Sequence, residues 1–341
     1  MSEQATIKDI AKALNLSIST VSRALKGSYK ISEATTAAVK EYAAQINYRP
    51  NLAAQGLKGK HSRSIGVILA SVPNNFFSEV ISGIESIASG SDYHIIITQS
   101  LESFEKEKKN LEHLTWRSVD GLLISVSSET KSYEHFSQVH SAGTPIVFFD
   151  RIADIKTHSV TCDNEGGAYM ATKHLIENGY RRIAHITSSE YLSITKERRD
   201  GYFKALAESN LPVDESIVKY CNHGGMTREE VENAIRELLN SKNPPDAIVP
   251  ASDRITLLTI TILHQLKIKI PEQIALAGFS NFTAPEIINP SLTVIKQPAF
   301  DMGRKAAELL IKLIESKRPP SDFENVKLPT ELVLGNSSAQ K

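Results

Sequence analysis

The chain has little of what marks several large protein classes. It holds 2 cysteines and 1 tryptophan in 341 residues, and aromatics make up only 6%. Cys162 and Cys221 lie far apart and neither has a CxxC partner, so neither a disulfide framework nor a structural zinc is expected. No stretch approaches the roughly 18 apolar residues of a membrane span. The N-terminal MSEQATIKDIAK has no apolar core of a signal peptide, so the expected location is cytoplasmic, with no membrane partner. The 10 histidines are scattered without HxxxH or HExxH spacing, and no GxGxxG or GxxxxGK(S/T) follows a strand-like run. No enzyme, metal or cofactor is expected.

Net charge is also lacking: 39 Lys and Arg balance 39 Asp and Glu. The balance conceals an asymmetry. Residues 1–60 carry 9 basic against 4 acidic side chains, leaving 30 against 35 for the rest. A basic head on a mildly acidic body fits a phosphate-binding module joined to something that does not bind nucleic acid.

What is present begins with the head. Thr6 followed by Asp9 has the spacing of a capping box, predicting a helix from Ile7 with Ile7, Ile10, Ala11 and Leu14 on one face. After a break at Asn15-Leu16, Ser17 is a natural N-cap for a helix over Ile18–Leu25. Ser19, Thr20 and Ser22 make its N-terminal part polar, Arg23 adds a charge, and Ile18, Val21 and Leu25 fall on the other side. Ser32 caps a third helix, Glu33–Ile46, with Val39, Tyr42, Ala43 and Ile46 as its packing stripe. Two helices joined by so short a turn describe a helix-turn-helix whose second helix enters the major groove of double-stranded DNA. Arg23 suits guanine, Ile18 a thymine methyl, Thr20 a base edge, and Ser19 and Ser22 either base edges or phosphate; Lys8, Lys26 and Lys30 suit phosphates. Asn51 can cap a short further helix, Leu52–Lys58, too short to persist alone in water. It reads either as an element that folds on DNA or as an ordinary polar linker.

From Ser64 onward short Ile- and Val-rich runs alternate with amphipathic stretches. Strands are expected at 65–70, 94–98, 121–125 and 146–149, then at 183–187, 218–220, 247–250 and 274–278. The alternation predicts βαβ units in two successive parallel-sheet lobes. A further strand at Thr293–Lys296, a long helix from Phe300 and a last strand at Glu331–Leu334 complete the chain.

TIKDIAKALNLSISTVSRALKG, NYRPNLAAQGLKGK, SIGVIL, DGLLI, DNEGGAYMATKHLIENGYRRIAHI, GFSN and LTVIKQP together resemble the LacI/GalR family of transcriptional regulators over nearly the whole chain. The resemblance implies an α/β protein: a three-helix helix-turn-helix headpiece (1–50), a hinge helix (51–61) and a two-lobed periplasmic-binding-protein-like core of parallel sheets (62–341). The tail would recross, giving lobes of about 62–162 with 292–323 and 163–291 with 324–341. It further implies a homodimer on a pseudo-palindromic operator, with paired Leu57 side chains wedged into the minor groove and Thr6, Asn51, Ala54 and Lys58 completing the DNA contacts. The leucine heptad of a lac-type tetramerising tail is missing from the ending LGNSSAQK.

A small-molecule effector, expected to be a carbohydrate, would sit where strand ends of the two lobes meet. Asn75, Phe76 and Phe77 follow the first strand, and one of the two rings would stack on a sugar unless both belong to helix packing. Ser127 follows the third strand. Asp150 and Arg151 follow the fourth, where they would bond a ligand or form an interlobe salt bridge. Arg198 resembles the family's ligand-contacting arginine, the bland reading being a surface helix residue. Asp253 is either a rim acid or a helix N-cap, Tyr191 a further contact. Ser280 stands where many relatives have an aspartate, which implies different hydrogen-bonding demands. The alternative to a regulator is a solute-binding protein with the same cleft and no regulatory role.

Overall fold

The computed structural model describes residues 5–25, 27–48, 62–284, 287–316 and 322–341. It divides into two compact units, Met1–Ser62 and Arg63–Lys341. The expected hinge helix, with Asn51, Ala54, Leu57 and Lys58, lies outside the described residues, as does Lys26.

The first unit contains α1 (Ile7–Ala13), α2 (Ile18–Leu25) and α3 (Glu33–Gln45). Each start is fixed by a side chain. The Thr6 amide and hydroxyl both donate to the Asp9 carboxylate, at 2.8 and 2.7 Å, and these bonds hold its pKa below the usual value. Ser17 Oγ accepts from the Thr20 amide at 3.1 Å and Ser32 Oγ from Thr35 at 3.2 Å. Asn15 takes the left-handed φ of 50° that turns the chain between α1 and α2. Ile10, Ala11, Val21, Ala24, Val39 and Ala43 form the small core, with Leu14, Leu25, Tyr42 and Ile46 packed on it. Ile18, expected on the apolar side of α2, is instead 48% exposed.

The second unit holds two sheets. The first consists of β1 (Ser64–Leu69), β2 (His94–Gln99), β3 (Gly121–Ile124), β4 (Ile146–Phe149), β5 (His158–Cys162) and β11 (Asn325–Leu328), in the order β11-β5-β4-β3-β1-β2. All its pairings are parallel. Helices α4 (Asn75–Ala88), α5 (Phe104–Trp116), α6 (Glu134–Ser141) and α11 (Ala299–Glu315) belong to this lobe. The second sheet consists of β6 (Ile183–Ser188), β7 (Val218–Cys221), β8 (Ala247–Pro250), β9 (Ala275–Phe279), β10 (Thr293–Lys296) and β12 (Glu331–Val333), ordered β12-β10-β9-β8-β6-β7. Only the β10–β12 pairing is antiparallel. Its helices are α7 (Asn164–Glu177), α8 (Ser193–Glu208), α9 (Arg228–Leu239) and α10 (Asp253–Gln265).

The tail recrosses, but not at the expected places. Thr293–Lys296, assigned to the first lobe, pairs in parallel with β9 in the second, and its first three residues are buried there. The chain crosses only afterwards, through Gln297-Pro298 into α11. Asn325–Leu328, assigned to the second lobe, pairs with β5 in the first. Helices α4 and α11 cross very closely. A Cβ on Gly83 would lie 2.0 Å from the Phe300 carbonyl oxygen, and one on Gly303 2.0 Å from that of Val80. Both positions therefore require glycine.

Candidate functional site

In the first unit, α2 presents Ile18, Ser19 and Arg23 to solvent, with Thr20 and Ser22 half-buried. Ser17 Oγ lies 2.8 Å from both Ser19 Oγ and Thr20 Oγ1, so these hydroxyls form a local network at the helix N-terminus. The buried side of α2 is Val21 and Ala24 alone, which frees Ile18 to meet an apolar group outside. Lys30 is exposed, and beside it Tyr29 is 92% exposed in the loop after α2.

In the second unit Asn75, Asp253 and Ser280 come into contact, and Asp150 lies near Arg151 and Arg198, whereas Ser127 and Tyr191 have other partners. The first helix past β8 sets the pattern. Ser252, not Asp253, caps α10, accepting from the Ile255 amide at 3.3 Å. Asp253 is thereby released from its own helix. Its Oδ1 accepts from Ser280 Oγ at 2.7 Å and the Asn281 amide at 3.0 Å, and its Oδ2 accepts from the Asn75 amide across the lobes at 3.2 Å. Hydrogen bonds from Arg254 Nη2 to Ser71 Oγ at 3.0 Å and from Asn281 Nδ2 to Glu79 Oε2 at 2.9 Å also span the lobes. Tyr191, half exposed, lies under Lys131 Nζ at 4.2 Å from its ring centroid, again across the lobes.

Arg198 is 2% exposed, which excludes the surface-helix reading. Its guanidinium lies 4.0 Å over the Phe279 ring, Nε donates to Asn164 Oδ1 at 2.9 Å, and Nη1 donates to the Ala251 carbonyl. Burial draws its pKa down, opposed by Cys162 and Asp150.

Asp150 and Arg151 do not form a salt bridge between the lobes. Arg151 Nη1 donates to both carboxylate oxygens of Glu102, at 2.9 and 2.7 Å, within the first lobe. Glu102 also accepts from the Ser128 amide at 2.9 Å, and Glu107 accepts from the Ser127 amide at 2.7 Å. Two buried glutamates thus pin the loop after β3. The sequence reading missed both, because they sit in an acid- and lysine-rich stretch that looks like a solvated helix face. Asp150 is buried with a left-handed φ of 60°, and burial pushes its pKa up against the pull of Arg151 and Arg198.

The expected aromatic stacking face is not found on Phe77, which packs edge-on against Phe149, ring centroids 6.5 Å apart. Phe76 belongs to the same buried cluster. Both rings lie in the first turn of α4 and pack into the first-lobe core, which leaves Phe279 as the ring stacked against the buried Arg198. Among the described residues no group of three or more His, Cys, Asp or Glu is placed to hold a metal ion, and no helix is long and apolar enough to cross a membrane.

Comparison with known proteins accords with this geometry. Residues 6–51 match bacterial regulatory proteins of the lacI family, and residues 172–338 match the periplasmic binding protein-like domain. The ribose operon repressor of Halalkalibacterium halodurans is 30% identical over 96% of both chains. The catabolite control protein A of Priestia megaterium is 31% identical over 98% of this chain and 99% of its own. The solved complex of the transcriptional regulator CelR with cellobiose superposes with a TM-score of 0.72 at 27% identity, covering 98% of this chain and 100% of that one. With a helix-turn-helix at its head and relatives matched from end to end, the chain belongs to the LacI family of bacterial regulatory proteins.

Proposed function

We propose that the protein is a cytoplasmic, homodimeric transcriptional repressor whose affinity for a pseudo-palindromic operator is set by a carbohydrate bound between the two core lobes. Base reading falls to Arg23, Ile18, Ser19, Thr20 and Ser22, and phosphate contact to Lys30 and Thr6. Asn51, Ala54, Leu57 and Lys58 belong to the same proposal as hinge contacts. The cleft set is Asn75, Ser127, Asp150, Arg151, Tyr191, Arg198, Asp253 and Ser280; Phe76 and Phe77 support it from the first-lobe core.

The observation that carries this reading is Arg198. A guanidinium that is 2% exposed, stacked on Phe279 and tied to Asn164 and Ala251 lies where the ends of the strands converge. A preorganised, desolvated donor of that kind discriminates between hydroxylated ligands. Names of relatives that include ribose and cellobiose support the carbohydrate class. A solute-binding protein without a regulatory role leaves the exposed recognition helix unexplained.

The test is Arg198→Ala, read by operator binding with and without the sugar. The expected outcome is a lost response to sugar with basal DNA affinity retained. An unchanged response removes Arg198 from the pocket and this reading with it.

A further inference from the structure

The loop after β3 reaches across the cleft at two points. Lys131 Nζ lies over the Tyr191 ring, and Glu129 Oε1 lies 3.7 Å from His223 Nε2. Both ends of the second contact are held in place. Glu129 Oε2 accepts from the Phe104 amide at 3.0 Å, and Glu107 accepts from the Ser127 amide and the Thr130 hydroxyl on either side, each at 2.7 Å. In the second lobe His223 stands just past β7. Its amide donates to both Glu230 carboxylate oxygens, at 3.0 and 3.2 Å, and its Nδ1 donates to Glu230 Oε1. The residue after it is pressed onto the first lobe. A Cβ on Gly224, whose φ is 60°, would lie 2.9 Å from Glu102 Oε1.

These bonds decide which imidazole nitrogen can change. With the Glu230 carboxylate on Nδ1, that nitrogen keeps its proton in either charge state, and Nε2 is the one that gains and loses a proton. Bare, Nε2 turns a lone pair toward the Glu129 carboxylate. Protonated, the ring is a cation between two carboxylates that belong to different lobes. Glu102 adds a third negative charge near the turn. The cations beside Gly224 and Gly225 are engaged elsewhere, Arg151 with Glu102 and Arg254 with Ser71 and Met226. The hydrogen bond to Glu230 raises the His223 pKa above its ordinary value; burial opposes it, and the charges of Glu230, Glu129 and Glu102 add to it. The attraction is therefore complete below about pH 6.5 and is lost as pH rises through the raised value.

We propose that His223 is an acid-closed clasp on the cleft: its imidazolium ties Glu129 of the first lobe to Glu230 of the second, and its neutral form lets the first lobe go. The Lys131–Tyr191 contact spans the lobes without it. The clasp lies within the chain and needs no ligand, so it stands or falls apart from the reading of the cleft as an effector site.

The experiment is hydrogen–deuterium exchange of the full-length protein without ligand, from about pH 6 to about pH 9, with rates corrected for the pH dependence of an unstructured amide. In the wild type, protection of the peptides spanning residues 125–132 and 221–228 is expected to fall about twofold to fivefold as pH rises, the worth of a half-exposed ion pair. His223→Gln and Glu129→Gln replace exposed side chains, and each is expected to abolish the pH dependence while peptides of β8 and β9 stay as protected as before. A merely structural role would lower protection equally at every pH. Histidine 13C NMR supplies a second measurement, in which Glu129→Gln lowers the His223 pKa. Wild-type protection indifferent to pH, a pH dependence that survives in Glu129→Gln, or a His223 pKa unmoved by that substitution overturns the clasp.

Discussion

Asp253 sits at the first position of α10, yet its carboxylate caps nothing in its own helix. Ser252 takes that work, and Asp253 ties the end of β9 to the start of α4 in the other lobe. From sequence alone the two roles were indistinguishable, because an acid at either position suits a helix start. Arg198 could be singled out because it stands in a recognisable segment, and it is buried; the burial of Glu102 and Glu107 could not be foreseen, since burial of an acid in a charged stretch leaves no periodic trace. His185 shows what such burial does to titration. Its Nδ1 lies 2.9 Å from the Val249 carbonyl, its ring stacks on Tyr202, and burial pushes its pKa down to about 4. The folded value lies below that of the unfolded chain, so protonation favours unfolding. Stability is complete above about pH 6.5 and is lost as pH falls toward about 4, a loss of roughly 3 kcal/mol at most from this group. Thermal melting across that interval is expected to show the decline, and His185→Asn to flatten it; an equal decline in the variant assigns the effect to other groups.

At the scale of elements, most helices and strands were legible and the discrepancies share a physical origin. Helices α4, α7 and α10 start where Asn74, Asp163 and Ser252 cap them, upstream of the apolar periodicity that marks each helix in the sequence. The strands β5 and β11 escaped notice. HSVTC is short and mixed in polarity, and NVKL is a largely open edge strand, so neither has the apolar run of a buried parallel strand. The closest packing, α4 against α11, was invisible to periodicity because it depends on glycine opposing backbone. Gly303→Ala pushes a methyl group into the Val80 carbonyl. The overpacking is expected to cost about 1–3 kcal/mol and to lower the melting temperature by several degrees. An unaltered melting temperature contradicts the crossing described here.

At the scale of the whole molecule, the charge asymmetry read from the sequence separates two tasks. The basic head carries an exposed recognition helix with its caps formed, and the core brings residues distant in the chain into one buried set of charges. The order in which the tail recrosses was not legible, since Thr293–Lys296 looks alike as a strand of either sheet and only pairing with β9 decides it. Regulation requires that the cleft and the head be coupled, and coupling between two sites is a free energy that a binding curve reads directly. The most direct measurement is fluorescence anisotropy of the full-length protein on a duplex selected from random sequence, with and without a sugar shown to bind the protein. The account predicts salt-dependent, sequence-selective binding whose affinity shifts by about fivefold or more when sugar is added, and Arg23→Ala abolishes the sequence preference. Binding that ignores sequence, or that ignores a sugar known to occupy the protein, contradicts it.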